Sequence, residues 1–216
     1  MKIKAINIEQ YYRKESFDRF TKDFMCSFEM TGRIDVTKFV EYSKNNKTKF
    51  YINCLYIIAK VVNSRDDYKM IYDYKNKKLG VFEEVGVTHY VFDEIKETCT
   101  PVHTKFDINY ANFYKNVSLD IQLAKEHKYK PNKKEDCSSY FDASFMPWFS
   151  YDGFSLELPD GYLYFLPIIN WGKYREENGK LMMPVSIRLN HAAADGYLAC
   201  KFFLLIEQEI LKFIGQ

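Results

Sequence analysis

The stretch NHAAADG at residues 190–196 marks the point where a strand pattern gives way to a helix pattern. Upstream, residues 185–189 alternate apolar and polar side chains, which is typical of a half-buried strand. Downstream, large apolar residues recur at helical spacing over residues 197–213, which predicts an amphipathic helix with Asp195 at its N-cap. His191, just past the strand end, is placed to be held rigidly and still meet a substrate.

Both side chains have simpler interpretations. A single histidine at a strand end is more often a hydrogen-bonded structural residue than a catalyst, and an aspartate ahead of a helix is by default a cap. The three alanines at residues 192–194 nevertheless remove bulk between His191 and Asp195, and Gly196 permits backbone conformations that other residues resist. This combination favours a tight turn that presents an imidazole in a confined space.

Length and composition limit the classes of protein to consider. The chain has 216 residues and no evident linker, so we expect a single domain over residues 1–216. Lys and Arg number 31 against 29 Asp and Glu, and the net charge of +2 gives no reason to expect a nucleic-acid or membrane-surface partner. Aromatic residues make up 18% of the chain, which favours a tightly packed core and, for a few rings, a pocket for a flat ligand.

Cysteine usage and the N-terminus bear on the cellular compartment. The cysteines form an odd set without paired metal-ligand spacing, so we expect reduced thiols and no metal site; they are Cys26, Cys54, Cys99, Cys137 and Cys200. The N-terminus lacks the apolar core of a signal peptide, and no run approaches the roughly 18 apolar residues of a membrane span. These features predict a soluble, cytoplasmic protein.

The remaining pattern predicts a mixed order of helices and strands. Helices are expected at residues 8–20, 35–44 (capped by Asp35), 52–63 and 109–126. Strands are expected at residues 24–30, 68–74, 78–82 and 87–92. Asn178-Gly179 has the chemistry of a type I′ turn and predicts a hairpin between residues 162–174 and 181–189. Together these elements predict an α+β fold, a mixed α/β sandwich in which helices cover a large mixed β-sheet.

The turn at residues 191–196 resembles the HxxxDG signature of the CoA-dependent acyltransferases. That spacing alone is shared with 2-oxo-acid dehydrogenase acyltransferases and condensation domains. With SFMPW at residues 144–148 and KFY at residues 49–51, the chain is similar to the chloramphenicol acetyltransferase family specifically. The resemblance begins at YYRKE, residues 11–15, and runs through the C-terminal helix, which implies the CoA-dependent acyltransferase fold.

The resemblance implies direct acetyl transfer in a ternary complex, with acetyl-CoA as a co-substrate and no tightly bound cofactor. It implies that His191 is the general base, whose Nε2 removes the acceptor hydroxyl proton, and that Ser144 donates a hydrogen bond to the oxyanion. The alternative for Ser144 is a turn serine before a proline. The resemblance places Asp195 in a structural pair with Arg13, and the alternative is a helix cap and a surface arginine.

The resemblance also assigns residues to two binding regions. Those expected to line or flank the CoA tunnel are Lys49, Tyr51, Trp148, Lys173 and Tyr174. Those expected in the acceptor pocket, where rings would sandwich a nitrophenyl group, are Phe20, Phe24, Cys26, Phe28, Thr98, Phe154, Leu156 and Leu158. Individually, each acceptor residue is equally compatible with a place in the core.

Several positions depart from the family pattern. Asn190 stands where many relatives have a second histidine, and Asn170 replaces a common threonine, where it would support the site by holding a water with altered geometry. Thr98 and Cys99 stand where Phe-Ser is usual, so we expect an aromatic wall of the pocket to be lost at Thr98. Acetyl-CoA chemistry is therefore better supported than chloramphenicol as the acceptor.

The family is trimeric with active sites between subunits, which predicts a homotrimer whose His191 faces an acceptor pocket mainly on the next chain. One alternative is an acetyltransferase of the same mechanism that acts on a different hydroxylated small molecule. Another is a trimeric protein that binds a ligand without acetyl transfer, but a pure binder does not need His191 and Ser144. A dehydrogenase-complex acyltransferase is less favoured, because no lipoyl or subunit-binding segment precedes the domain.

Overall fold

Ten strands and five α-helices make up the described part of the computed structural model, which covers residues 2–130 and 137–216 (of Cys137 only the backbone). The strands are β1 (Ile3–Ile6), β2 (Ser27–Asp35), β3 (Met70–Asp73), β4 (Lys78–Phe82), β5 (Gly86–Asp93), β6 (Thr98–Thr104), β7 (Tyr140–Met146), β8 (Ile168–Gly172), β9 (Arg175–Glu177) and β10 (Lys180–Asn190). The helices are α1 (Lys14–Asp18), α2 (Thr37–Asn45), α3 (Phe50–Asn63), α4 (Tyr110–Lys125) and α5 (Gly196–Phe213). The predicted α+β class is confirmed.

A mixed sheet carries Ser144 and Asn170, and its strand β10 leads into the turn that contains His191. Its strand order is β2-β10-β8-β7-β5-β6, and β9 pairs with β10. Strand β7 lies between two parallel neighbours, β5 and β8, whereas β10 pairs antiparallel with β2 and β8. A separate antiparallel sheet has the order β1-β4-β3. Because β10 pairs with β2 along its length from Met182 to Asn190, the turn at residues 190–196 is fixed to the end of a long, well-paired strand.

The main core lies between this sheet and helices α3 and α5. Helix α3 is apolar on nearly all sides, with 10 of its 14 residues buried. Helix α5 buries one face, formed by Leu198, Ala199, Phe202, Ile206 and Ile210. Burying each large apolar side chain is worth about 1.5 to 3 kcal/mol, so this layer is the principal stabilising feature of the fold. It holds both ends of the 190–196 turn in place.

Most local predictions are confirmed. The helices predicted at residues 52–63, 109–126 and 197–213 are present as α3, α4 and α5. Asn178 and Gly179 have φ values of 52° and 78°, as a type I′ turn requires, and Glu177 pairs with Lys180 across it. The hairpin turn is therefore confirmed, but the strand that precedes it is β9, Arg175–Glu177, and the predicted range 162–174 contains instead the separate strand β8, which pairs with β10 further along.

Other predicted elements are corrected. Residues 8–20 do not form one helix, because Tyr11 has extended backbone between a 3₁₀ turn and α1, and a π-helical turn, Arg19–Asp23, follows. The strand predicted at residues 24–30 begins later and extends to Asp35, as its pairing with β10 demands. Helix α2 begins at Thr37, because the Asp35 side chain accepts from the Thr37 N–H in a turn ahead of the helix. Part of the strand predicted at residues 68–74 is a 3₁₀ turn, Asp66–Tyr68.

Two strands, β6 and β7, carry site residues but were not predicted from the sequence. Ser144 lies on β7, so the interpretation of this residue as a turn serine is wrong.

Within the described residues, no helix combines the length and apolar character needed to cross a bilayer.

Candidate active site

The turn after β10 is held by its own backbone and by Asn190. The Asn190 side chain accepts from the Ala192 N–H (2.9 Å) and donates to the Tyr162 carbonyl (2.7 Å). The three alanines of the turn are at most 1% exposed, so larger side chains would not fit there. The His191 N–H donates to the carbonyl of Cys26 (3.1 Å), which ties the turn to the start of β2.

The imidazole of His191 has a defined orientation. Its Nδ1 lies 3.1 Å from the carbonyl oxygen of Ala194. Because a carbonyl oxygen only accepts, Nδ1 carries the proton and Nε2 presents a lone pair. The ring is stacked on Phe20 at 3.8 Å between centroids, with an interplanar angle of 6°, and Phe28 lies 5.0 Å away. The geometry is that of a positioned base.

Asp195 acts as a cap and an ion-pair partner at once. Its Oδ1 accepts from the Leu198 N–H at 3.2 Å, and its Oδ2 lies 2.9 Å from Nη1 of Arg13. Burial raises the pKa of Asp195, but the hydrogen bonds from Leu198 and Arg13 outweigh that effect, and its pKa lies below the ordinary value. The Arg13 side chain is 12% exposed and that of Asp195 is 42% exposed, so the pair is partly buried.

We expect Asp195→Asn to lower the free energy of unfolding by about 1 to 3 kcal/mol, between the values typical of exposed and buried pairs. The amide can still cap α5, but it leaves the partly buried Arg13 charge without a counter-charge. Turnover should fall as well, because the His191 turn loses an anchor. Since the folded-state pKa of Asp195 is depressed, its stabilisation is fully present above about pH 4 and is lost as the pH falls further. Urea unfolding of both proteins at pH 7 and pH 3 measures this difference in stability. If the Asp195→Asn variant had the stability and turnover of the wild-type protein at pH 7, Asp195 would be only a cap.

Ser144 lies where two cavities meet. Cavity A, of about 400 Å³, is lined by Tyr90, Cys99, Asp142, Ser144, Phe154, Leu156, Leu158, Tyr164, Ile168 and Asn170. Cavity B, of about 610 Å³, is lined by Lys49, Tyr51, Tyr90, Val91, Phe92, Glu94, Cys99, Ile121, Lys125, Ser144, Phe145, Met146, Pro147 and Trp148. Tyr90, Cys99 and Ser144 line both, so the two spaces adjoin at these three residues.

Apart from Thr98, the residues expected in the acceptor pocket fall into two groups. Phe154, Leu156 and Leu158 line cavity A beside Ser144. The others surround His191: Phe20 and Phe28 contact its ring, Phe24 lies 6.5 Å from Phe20, and the Cys26 carbonyl accepts from the His191 backbone. A third cavity, of about 380 Å³, is bordered by Phe28, Leu156 and Leu158, so the two groups approach each other there.

Thr98 does not line cavity A, and Cys99 does. Thr98 is exposed at the start of β6, opposite Asp93 of β5. Successive side chains of a strand point to opposite faces, so only one of these two neighbours can face the cavity. Of these two residues it is therefore Cys99 that lines cavity A, and it stands where the family pattern has a serine, so the expected loss of an aromatic wall at Thr98 is not a change in the lining of cavity A.

The residues expected around CoA divide into lining and flanking ones. Lys49, Tyr51 and Trp148 line cavity B, and Trp148 is 59% exposed. Lys173 is exposed, and its N–H donates to the carbonyl of Phe149, next to Trp148. Tyr174 packs its ring on Phe50, 5.6 Å away, so Lys173 and Tyr174 flank the space that the other three line.

A buried hydrogen-bond chain behind cavity B was not predicted from the sequence. The Tyr51 hydroxyl donates to His89 Nδ1 (3.0 Å), His89 Nε2 donates to Thr104 (3.1 Å), and Thr104 donates to Asp120 (2.6 Å). His89 is 0% exposed, and burial lowers its pKa to about 3, so its ring is neutral. This series of hydrogen bonds fixes the position of the Tyr51 side chain. A histidine inside an apolar strand gives no sequence signal of such a role.

Known structures share this fold. A solved chloramphenicol acetyltransferase has a TM-score of 0.84 and 16% identity, covering 97% of this chain and 100% of that one. A truncated catalytic core of the 2-oxoacid dehydrogenase multienzyme complex from Thermoplasma acidophilum has a TM-score of 0.69 and 18% identity, covering 92% and 94%. The fold is therefore that of the CoA-dependent acyltransferases, as predicted.

Sequence comparisons are more specific. The family model described as chloramphenicol acetyltransferase matches residues 1–207. The chloramphenicol acetyltransferase of Campylobacter coli is 35% identical over 205 residues, which cover 94% of this chain and 95% of the relative. That of Vibrio anguillarum is 32% identical over 202 residues, which cover 94% and 91%. The chain belongs to the chloramphenicol acetyltransferase family, and it is an enzyme of the acetyl-CoA-dependent transferase class.

Proposed function

We propose that this protein transfers the acetyl group of acetyl-CoA to a hydroxyl of chloramphenicol in a ternary complex. The observation that carries the proposal is the position of Ser144 where cavities A and B meet. Cavity A is largely apolar and suits a compact acceptor, whereas cavity B, with Lys49 and Trp148 on its border, suits the pantetheine arm of CoA and its phosphates.

In the proposed reaction, Nε2 of His191 takes the proton of the acceptor hydroxyl as the oxygen attacks the thioester carbonyl. The electron pair of the C=O bond moves to the carbonyl oxygen, and the Ser144 hydroxyl donates to that oxyanion. When the intermediate collapses, the C–S bond breaks, and the protonated imidazole returns its proton to the sulfur. The products are an acetyl ester and CoA with a free thiol.

We propose a homotrimer in which His191 of one subunit serves the cavities of the next. Ser144, Asn170 and Ser186 are paired neighbours across β7, β8 and β10. His191 lies five residues beyond Ser186 along β10, which puts its Cα roughly 19 Å from that of Ser144 in the same chain. A general base must lie within about 3 Å of the proton that it removes. His191 is not among the described residues that line cavities A and B. This observation also supports a site between subunits.

Asn170 is proposed to support the site. It is 5% exposed, it lines cavity A, and it pairs with Ser144 in the sheet. Its Nδ2 is buried without a hydrogen-bond partner in the described part of the chain. An unpaired buried donor is costly, and a water next to the oxyanion would satisfy it.

A cytoplasmic location is part of the proposal. The cysteines whose side chains are described are free thiols, as in a reducing compartment: Cys26, Cys54, Cys99 and Cys200. The side chain of Cys137 lies outside the described residues.

A second candidate function is acetyl transfer to a different hydroxylated small molecule. Cys99 favours it, because a thiol lines cavity A at a position where the family pattern has a serine hydroxyl. Thiol release from acetyl-CoA, measured with chloramphenicol and with a panel of other alcohols, tests both candidates. Release with chloramphenicol and a mass-verified acetyl ester support the first. Release with another alcohol alone supports the second, and no release with any alcohol would favour a binding protein.

We expect Cys99→Phe to lower KM for chloramphenicol several-fold with little change in kcat. An added ring would contact the nitrophenyl group, and an aromatic pair is worth about 0.5 to 1.5 kcal/mol beyond its burial. Thr98→Phe is the matched control, since that side chain lies on the other face of β6 and should leave KM unchanged. Steady-state kinetics of the two variants give KM for chloramphenicol and kcat. A higher KM for Cys99→Phe would mean that the existing rings already close the pocket.

A further inference from the structure

Cavity A contains a carboxylate close to the reacting position. Asp142 precedes Ser144 by two residues on β7, so both side chains are on the same face of the sheet, with their Cα atoms roughly 7 Å apart. Both line cavity A, and among the described residues that line it Asp142 is the only charged one. A charge in a largely apolar pocket strongly affects which ligands it accepts.

Two tyrosines hold this carboxylate. The Tyr90 hydroxyl donates to Oδ1 of Asp142 at 2.7 Å, and the Tyr164 hydroxyl donates to Oδ2 at 2.8 Å. Burial and then the neighbouring Asp142 raise the pKa of both tyrosines, so both stay protonated and act as donors. Each carboxylate oxygen keeps a further lone pair, and the phenolic oxygens keep theirs. This wall of cavity A therefore offers hydrogen-bond acceptors.

The buried cation Arg188 does not line cavity A. Arg188 borders the third cavity, behind Leu156 and Leu158, where its Nη2 donates to Ser27 Oγ at 2.5 Å. It pairs across the sheet with Glu29, whose charge opposes its own. Among the described residues that line cavity A, no cation balances the negative charge of Asp142. A ligand that donates a hydrogen bond would complement this charge.

We propose that Asp142 determines acceptor specificity, and that cavity A takes an alcohol that also carries an N–H or O–H donor, an amine above all. Chloramphenicol already carries an amide N–H and hydroxyl donors, whereas the oxygens of its nitro group only accept, so reduction of the nitro group to an amine adds a donor that this wall can accept from. The inference rests on the proposed function in one respect, namely that the molecule in cavity A is the acetyl acceptor.

The test uses two alcohols that differ in one group: chloramphenicol and its derivative in which the nitro group is reduced to an amine. Calorimetry without acetyl-CoA gives the affinity of each for the wild-type protein, for Asp142→Asn and for Asp160→Asn. We expect the wild-type protein to bind the amine about tenfold more tightly, as one hydrogen bond to a charged group predicts. Asp142→Asn should abolish or reverse this preference, since the amide also donates. Asp160 is exposed and does not line cavity A, so Asp160→Asn should retain it.

Equal wild-type affinities, or no binding of either alcohol, would overturn the proposal, as would a preference unchanged in a folded Asp142→Asn protein. If the variant does not fold, the wild-type ratio decides. Thiol release, measured in parallel, separates this inference from the proposed function. A preserved binding preference without thiol release from acetyl-CoA would refute acetyl transfer and leave the specificity of cavity A standing.

Discussion

Replacement of His191 by alanine is expected to lower kcat by about 10² to 10⁴, the usual range for the loss of a general base. The hydrogen bond from Nδ1 to the Ala194 carbonyl leaves Nε2 as the only basic atom of the ring, and the stack on Phe20 holds that atom in place. The affinity for acetyl-CoA should change little, because the variant removes a group that acts on the acceptor proton.

His127→Ala is the matched control. His127 is an exposed histidine that interacts with Asp93, far along the chain from the turn, and its loss should leave kcat unchanged. Steady-state kinetics and circular dichroism of both variants are the measurements. A folded His191→Ala protein with wild-type kcat would exclude His191 as the base.

Replacement of Ser144 by alanine is expected to lower kcat by about 10² or more, as for the removal of one donor to an oxyanion. That oxyanion exists only along the reaction path, so KM for either substrate should change little. Ser118→Ala is a suitable control, because the Ser118 hydroxyl is buried without a partner among the described residues and lies on α4. If Ser144→Ala raised KM with kcat intact, Ser144 would be a binding residue only.

The parts of the fold that sequence predicts well are those that local patterns determine. Helix α3 is a long apolar run, α5 follows a cap, and Asn178-Gly179 is suited to one type of hairpin turn. Strand β7 was missed because Asp142 interrupts an apolar run, and because its parallel pairing with β5 and β8 depends on distant residues. Strand β6 contains Pro101, which argues against a central strand; β6 lies at the edge of the sheet, where proline is tolerated.

In the candidate site, too, some residues stand out from the local sequence, whereas the position of others depends on the strand to which they belong. His191 and Asp195 stand out because the whole turn lies in seven consecutive residues. Which of Thr98 and Cys99 lines cavity A could not be decided without knowing that they lie on a strand; the family pattern drew attention to Thr98, whereas Cys99 lines the cavity. The role proposed for Asp142 could not be predicted from the sequence for the same reason, because only the strand conformation of β7 places its side chain on the same face of the sheet as that of Ser144.

The central claim is that His191 of one subunit acts with Ser144 of another. Co-expression of His191→Ala and Ser144→Ala chains tests it, since each homotrimer lacks one of the two groups at every site. If the site lies between subunits, random 1:1 mixing restores about a quarter of the sites, because each site takes one group from each of two neighbours. We therefore predict about a quarter of wild-type activity from the whole random mixture of trimers, and about a third from purified trimers that contain both chains, since each of these has one complete site out of three. Activity no higher than that of either variant alone would contradict the account and place both groups within one chain.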